Sequence, residues 1–222
     1  MLISISDVLD ADHRTLVTGL LSDVIWKDGT ETAGRVARQV KNNQQADLTK
    51  TVGPKIEQLL FQAISRHPVL QAAAQPRTYA PLMVSKTETG GGYGLHIDNA
   101  FIGARGAAIR TDLSFTLFLS PPETYEGGEL VIEHAGQTQS LKPEAGDLIL
   151  YPSTSLHQVA EVTSGTRLVC VGWIESRIRR AEDRESLFDL INLKAALATH
   201  YDDQSPEMLT LSKVIANLKR RF

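Results

Sequence analysis

Apolar positions along the chain change period twice, and the changes mark three zones. Up to residue 77 they recur at helical spacing. Leu16, Leu20 and Leu21 form one stripe behind Asp10, a residue type that caps helix N-termini. Ile56, Leu59, Leu60, Ala63 and Ile64 form another, with Pro54 at a first helical position. From 78 to 177 the period shortens. Runs rich in β-branched and aromatic residues predict strands near 113–120, 129–133, 147–151, 156–162 and 167–174. Pro121-Pro122, Gly127-Gly128, Pro143, Gly146-Asp147 and Ser164-Gly165 punctuate them. Short strands at this spacing predict a sandwich or barrel. From 178 the helical period returns, first with Leu187, Leu190 and Ile191. After Ser205-Pro206, a cap followed by proline, come Met208, Leu211, Ile215 and Leu218. The expected chain is α+β, with an N-terminal helical support region (1–77), a strand-rich core (78–177) and a C-terminal helical cap (178–222). The apolar faces of the cap can pack on the barrel or on a second subunit, so a homo-oligomer stays open.

Composition narrows the functional classes. With 222 residues the chain can bury a core without covalent staples. A net charge of -3 supplies no basic excess for nucleic-acid backbones. No apolar run reaches membrane-spanning length, and the N-terminus lacks a signal-peptide pattern, so neither a nucleic-acid nor a membrane partner is expected. The single cysteine, Cys170, sits in the apolar run Leu168–Val171 and reads as a buried small hydrophobe. A cytoplasmic location is the expectation.

The chemistry concentrates at Gly94-Leu95-His96-Ile97-Asp98. Residues i and i+2 of a strand share a face, so His96 and Asp98 can aim at one point. His157, opening a predicted strand, is the third candidate ligand. Two imidazoles and one carboxylate leave coordination positions open, as in non-heme Fe(II) oxygenases; a closed four-ligand zinc site does not. Arg167, ten residues beyond His157, offers a planar fork for the far carboxylate of 2-oxoglutarate. Were those two strands adjacent, it would lie deeper in the barrel than the metal. Thr87 or Tyr93 can add a hydroxyl. His13, His67, His134 and His200 have no partner at ligand spacing, and His134 is expected in an exposed turn before Ala135-Gly136.

This constellation resembles the Fe(II)/2-oxoglutarate-dependent dioxygenases of the prolyl 4-hydroxylase type. Further strings resemble the bacterial PKHD-type hydroxylases: Asp28-Gly29, Thr32-Ala33-Gly34, Lys41-Asn42-Asn43, Tyr93 through Ala100, and Asp112-Leu113-Ser114. So do Pro121-Pro122 with Tyr125, Gly127-Gly128-Glu129-Leu130, Tyr151 through His157, and Trp173-Ile174 with Ser176. The resemblance spans nearly the whole chain. It implies a double-stranded β-helix (jelly-roll) core between helices, Fe(II) on His96, Asp98 and His157, and 2-oxoglutarate on Arg167. It also implies O2 as cosubstrate and L-ascorbate as auxiliary reductant. Its context suggests iron uptake, with a peptidyl proline, a siderophore or a small metabolite as the unidentified substrate. Two positions depart from the pattern: Thr87 stands where relatives often carry tyrosine, and Val169 where a serine often follows the arginine. A non-catalytic iron or 2-oxoglutarate sensor and a non-oxidative metal enzyme on the same barrel stay open as alternatives. The glycine run Gly90–Gly92 is expected to be flexible, and with 99–110 to border the substrate entrance.

Overall fold

A computed structural model of the chain describes residues 1–32, 40–104, 106–134 and 136–222. The motif residues Ala33 and Gly34, the turn residue Ala135 and the side chain of His134 lie outside the described set. The chain opens with β1 (Ile3–Ile5), α1 (Ala11–Leu21), β2 (Trp26–Asp28), β3 (Lys41–Asn42) and β4 (Gln44–Ala46). Helices α2 (Gly53–Arg66) and α3 (Pro68–Ala74) lead to β5 (Pro76–Tyr79), β6 (Met83–Glu88) and β7 (Gly92–His96). A small hairpin of β8 (Phe101–Ile102) and β9 (Ile109–Arg110) precedes β10 (Leu113–Phe118) and β11 (Tyr125–Gly127). There follow β12 (Leu130–His134), β13 (Gln137–Leu141), β14 (Leu148–Pro152), β15 (His157–Val159) and the long β16 (Val162–Ser176). Helices α4 (Ala181–Leu197) and α5 (Pro206–Lys219) close the chain.

Two antiparallel sheets hold the cavity between them. The larger runs β1-β14-β10-β16-β6-β4-β2, with β5 and β11 paired to the ends of β16. The smaller runs β13-β12-β15-β7-β3. Alternation along β10 and β16 divides the larger sheet's faces. Phe115, Leu117, Cys170 and Ile174 join Ile56, Leu60 and Ile64 of α2 in the main core. Gly172 is required there, because an added Cβ would stand 2.4 Å from Phe115 Cζ. The opposite face sends Ser114, Thr116, Arg167 and Val169 toward the cavity. A second cluster of Phe118, Leu130, Ile132, Ile149, Tyr151 and Val169 ties the sheets together. Burial pushes the Cys170 thiol up, the behaviour of an inert core residue.

The helix signals hold. Asp10 accepts from the His13 backbone N–H at 2.8 Å, Pro54 lies in the first turn of α2, and Ser205 caps α5 through Met208 N–H at 3.3 Å. Ile178, Leu187 and Ile215 bind α4 to α5, and α4 rests on α3. Three details differ from expectation. Among the described residues, the first 77 also supply β1 to β4 and the start of β5, because short polar segments such as Gln44–Ala46 find partners only in the assembled sheet. The run 156–162 is not one strand. It ends β15 at Val159 and starts β16 at Val162, while Ser164-Gly165 continues β16 opposite β11 through a positive φ at Gly165. The Gly90–Gly92 run is a tightly bonded turn: Gly90 N–H donates to Val162, Gly91 N–H to Glu88, and the Gly91 carbonyl accepts from Val162.

Candidate active site

Strand pairing assembles three of the predicted site residues. His96 ends β7, His157 opens β15, and the register sets them opposite each other, with ring centres 4.3 Å apart. Asp98 lies just past β7. The ligand atoms of His96, Asp98 and His157 all fall within 4.8 Å of one another, and His157 Nε2 stands 3.8 Å from Asp98 Oδ2. Each imidazole is oriented by the carbonyl two residues upstream. His96 Nδ1 donates to Gly94 at 2.7 Å and His157 Nδ1 to Ser155 at 3.1 Å. A carbonyl only accepts, so both Nδ1 atoms carry the proton and both Nε2 lone pairs face the ligand position. Asp98 Oδ2 accepts from Ser114 Oγ at 2.5 Å, and Ser114 Oγ lies 2.7 Å from Ser153 Oγ. The larger sheet thereby grips the carboxylate. Two oriented imidazoles and one anchored carboxylate make an open three-ligand face that fits Fe(II).

The ring stack behind His96 adds electrostatics. Tyr93 lies nearly parallel on His96 with ring centres 3.7 Å apart, and Lys41 Nζ sits 5.2 Å from the Tyr93 ring centre. Burial and the neighbouring His157 hold the His96 ring down to about 4, so it is neutral and ready to ligate at physiological pH. Burial pushes the Tyr93 phenol up to about 12 and Lys41 down to about 8.

Arg167 reaches the cavity from the opposite sheet. Strand β15 and strand β16 are not neighbours, so the guanidinium faces the histidines across the cavity. It is 2% exposed, lies 5.2 Å from the Phe118 ring centre and pairs in register with Thr87 on β6. Gly128 makes room for it, because a Cβ there would meet Arg167 Cδ at 3.0 Å. Burial pushes its pKa down to about 10, which leaves it charged at neutral pH. Among the described residues, its Nε and Nη2 have no hydrogen-bond partner, and neither has the Tyr125 hydroxyl beside it. Unmet buried donors of this kind cost about 1–3 kcal/mol each. A carboxylate would satisfy both, so the donor set fits the far end of a dicarboxylate. Triad and arginine share one cavity of about 490 Å³, which Thr87, Tyr93, Tyr151 and Val169 also line.

A sequence model of the 2OG-Fe(II) oxygenase superfamily matches residues 82–175. A PKHD-type hydroxylase of Hyphomonas neptunium is 52% identical over 221 residues, covering 100% of this chain and 99% of that protein. The chain belongs to the PKHD-type hydroxylases. A second member, from Acaryochloris marina, is 43% identical over 100% of this chain and 99% of its own. A solved Trichoplax adhaerens prolyl hydroxylase, in complex with a hypoxia inducible factor peptide fragment, aligns at TM-score 0.55 and 18% identity. The match covers 84% of this chain and 86% of that one. The fold of this PKHD-type hydroxylase is thus a double-stranded β-helix with flanking helices. Its family makes it a dioxygenase that uses Fe(II), 2-oxoglutarate and O2.

Of the predicted residues, Thr87 lies opposite Arg167, and Tyr93 meets the site through its ring face. Segment 99–110 does border the cavity, through Asn99, Phe101, Ile102 and Gly103, whereas Gly90–Gly92 does not line it. Ser114, Ser153 and Tyr125 went unassigned by sequence reasoning. Ser114 had one usable signal: a polar residue in an otherwise apolar strand run must have a partner when buried. Among the described residues, no helix is long and apolar enough to cross a membrane.

Proposed function

We propose that His96, Asp98 and His157 hold the Fe(II) of this hydroxylase and that Arg167 holds the distal carboxylate of 2-oxoglutarate. The observation that carries the reading is the buried Arg167 fork, with two unmet N–H groups, facing the three-ligand cluster within one cavity. When bound, the metal and cosubstrate supply oxidative hydroxylation coupled to decarboxylation of 2-oxoglutarate into succinate and CO2. The protein's own residues supply position. The Gly94 and Ser155 carbonyls fix the imidazole tautomers, and Ser114 and Ser153 hold Asp98 against rotation. Phe118, Leu130 and Val169 keep water from the closed end.

The substrate class follows the prolyl 4-hydroxylase likeness: a peptidyl proline, a siderophore or a small metabolite presenting one C–H bond to the metal. A link to iron uptake, L-ascorbate as the auxiliary reductant, and a cytoplasmic location belong to the same proposal. So does the division into support region (1–77), catalytic core (78–177) and cap (178–222). The test is anaerobic. Adding Fe(II) and then 2-oxoglutarate to metal-free protein should produce a weak visible charge-transfer band. His96→Ala should lack the band, and Arg167→Ala should need far more 2-oxoglutarate to reach it. Folded protein that binds iron and gives no band would overturn the dioxygenase site in favour of a metal-binding or sensor role.

A further inference from the structure

Three polar atoms lie buried and unmet around the Arg167 guanidinium, and only two of them belong to it. Among the described residues, Arg167 Nε and Nη2 have no hydrogen-bond partner, and the Tyr125 hydroxyl beside them has none either. Tyr125 is 3% exposed, so bulk water does not serve the hydroxyl. A buried hydroxyl left unbonded costs stability unless a ligand completes it. Burial pushes the phenol up, so it keeps its proton at neutral pH and can donate it.

The local backbone brings the two side chains together. Strand β11 leads into β12 through Gly127 and Gly128, at φ 70° and 69°, in the left-handed region. A Cβ on Gly128 would meet Arg167 Cδ at 3.0 Å and Tyr125 Cε2 at 3.1 Å, so both press into the space of one missing methyl. Lys142 holds the tyrosine in place: its Nζ donates to the Tyr125 carbonyl at 2.7 Å and lies 4.1 Å from the ring centre. Phe118, under the guanidinium, and Val169, two residues along β16, carry no polar side-chain atom. Glu129 bears on Arg167 by charge, and a carboxylate does not donate.

We infer that Tyr125 is a second donor for the distal carboxylate of 2-oxoglutarate, completing the set that Arg167 begins. The inference rests on the iron and 2-oxoglutarate site proposed above and adds a residue to it. A carboxylate has two oxygens and about four lone-pair directions, enough to accept from the guanidinium fork and the phenol together. Tyr125 thereby helps select the cosubstrate. A 2-oxo acid that ends in methyl leaves all three atoms unmet.

The test is an anaerobic titration of the Fe(II)-loaded protein, read by the charge-transfer band. The probes are 2-oxoglutarate and 2-oxopentanoate, which keeps the chelating end and carries methyl in place of the far carboxylate. Tyr125→Phe should raise the 2-oxoglutarate half-saturation by about tenfold or more, the scale of one hydrogen bond to a charged group. The 2-oxopentanoate half-saturation should stay within about twofold of wild type, because that probe never used the hydroxyl. A fluorotyrosine placed at position 125 gives a second reading that keeps the hydroxyl. Its fluorine resonance should shift when 2-oxoglutarate saturates Zn(II)-loaded protein and hold still with 2-oxopentanoate. A 2-oxoglutarate titration of Tyr125→Phe that matches wild type would overturn the inference. Equal losses for the two acids would also overturn it, by making Tyr125 a packing residue, and so would a resonance that ignores 2-oxoglutarate. No band in wild type, or an Arg167→Ala titration like that of wild type, would fail the site itself and the inference with it.

Discussion

The two sheets differ in what stands behind them. The larger is backed by α1 and α2, and every residue of its strand β10 is buried. The smaller faces the cavity on one side and solvent on the other. Leu95, beside His96, is half exposed, and so is Leu156, beside His157. Both histidines belong to this open sheet. Arg167 and the serine that grips Asp98 belong to the closed one. The proposed metal thus takes its imidazoles from the half with room to adjust and is positioned by the half that has none. Asp98 is the link: it leaves the open sheet at the end of β7 and is bonded by Ser114 of the closed sheet.

Asp98→Ala should abolish Fe(II) binding and hydroxylation, an effect beyond the about 10–100-fold cost of losing an outer partner. Iron titration of the folded variant checks it. Packing sharpens the contrast next. Phe115→Ala in the closed sheet should cost about 3–5 kcal/mol of stability. Leu95→Ala on the open face should stay within about 0.5 kcal/mol. Urea unfolding of the metal-free proteins reads both, and similar losses would mean that the sheets do not differ as described.

Ser114→Ala should leave the fold intact and weaken Fe(II) binding by about 10–100-fold, with partial rescue by Ser114→Thr. Competition with a metal indicator measures this; unchanged affinity would make the Ser114–Asp98 bond incidental. The smallest effect is in pH. The folded His96 ring stays neutral down to about 4, whereas an unfolded imidazole takes its proton near about 6.5. Between these values the unfolded chain binds more protons, so metal-free stability should fall as pH drops through the window. Thermal melts of wild type should show the slope, and His96→Gln should flatten it.

Legibility in the sequence followed the same divide. The triad was readable from the i, i+2 spacing of His96 and Asp98 and from His157 opening its own strand, although Asp98 lies past the end of β7 and is held by Ser114 rather than by strand alternation. Arg167 stood out as a planar fork, and the structure places it in the cavity, though facing the histidines from another sheet rather than from a neighbouring strand. Strand adjacency depends on long-range pairing, which spacing does not encode. Lys41 stood in view as part of a family string, but its place over the Tyr93 ring depends on β3, a two-residue strand whose pairing to Tyr93 no local pattern announces. The early strands β1 to β4 were missed for the same reason. They are short, partly polar, and stable only as additions to sheets made by later residues.

The proposed Fe(II) would join the open sheet to the closed one. Hydrogen exchange of the metal-free and Fe(II)-loaded protein, resolved by segment, tests it directly. Loading should raise protection in β7 and β15 and leave β10 and the stretch of β16 from Arg167 to Ser176, none of it exposed, nearly unchanged. Equal protection of β7 and β15 with and without iron, in protein shown to bind it, would contradict the claim.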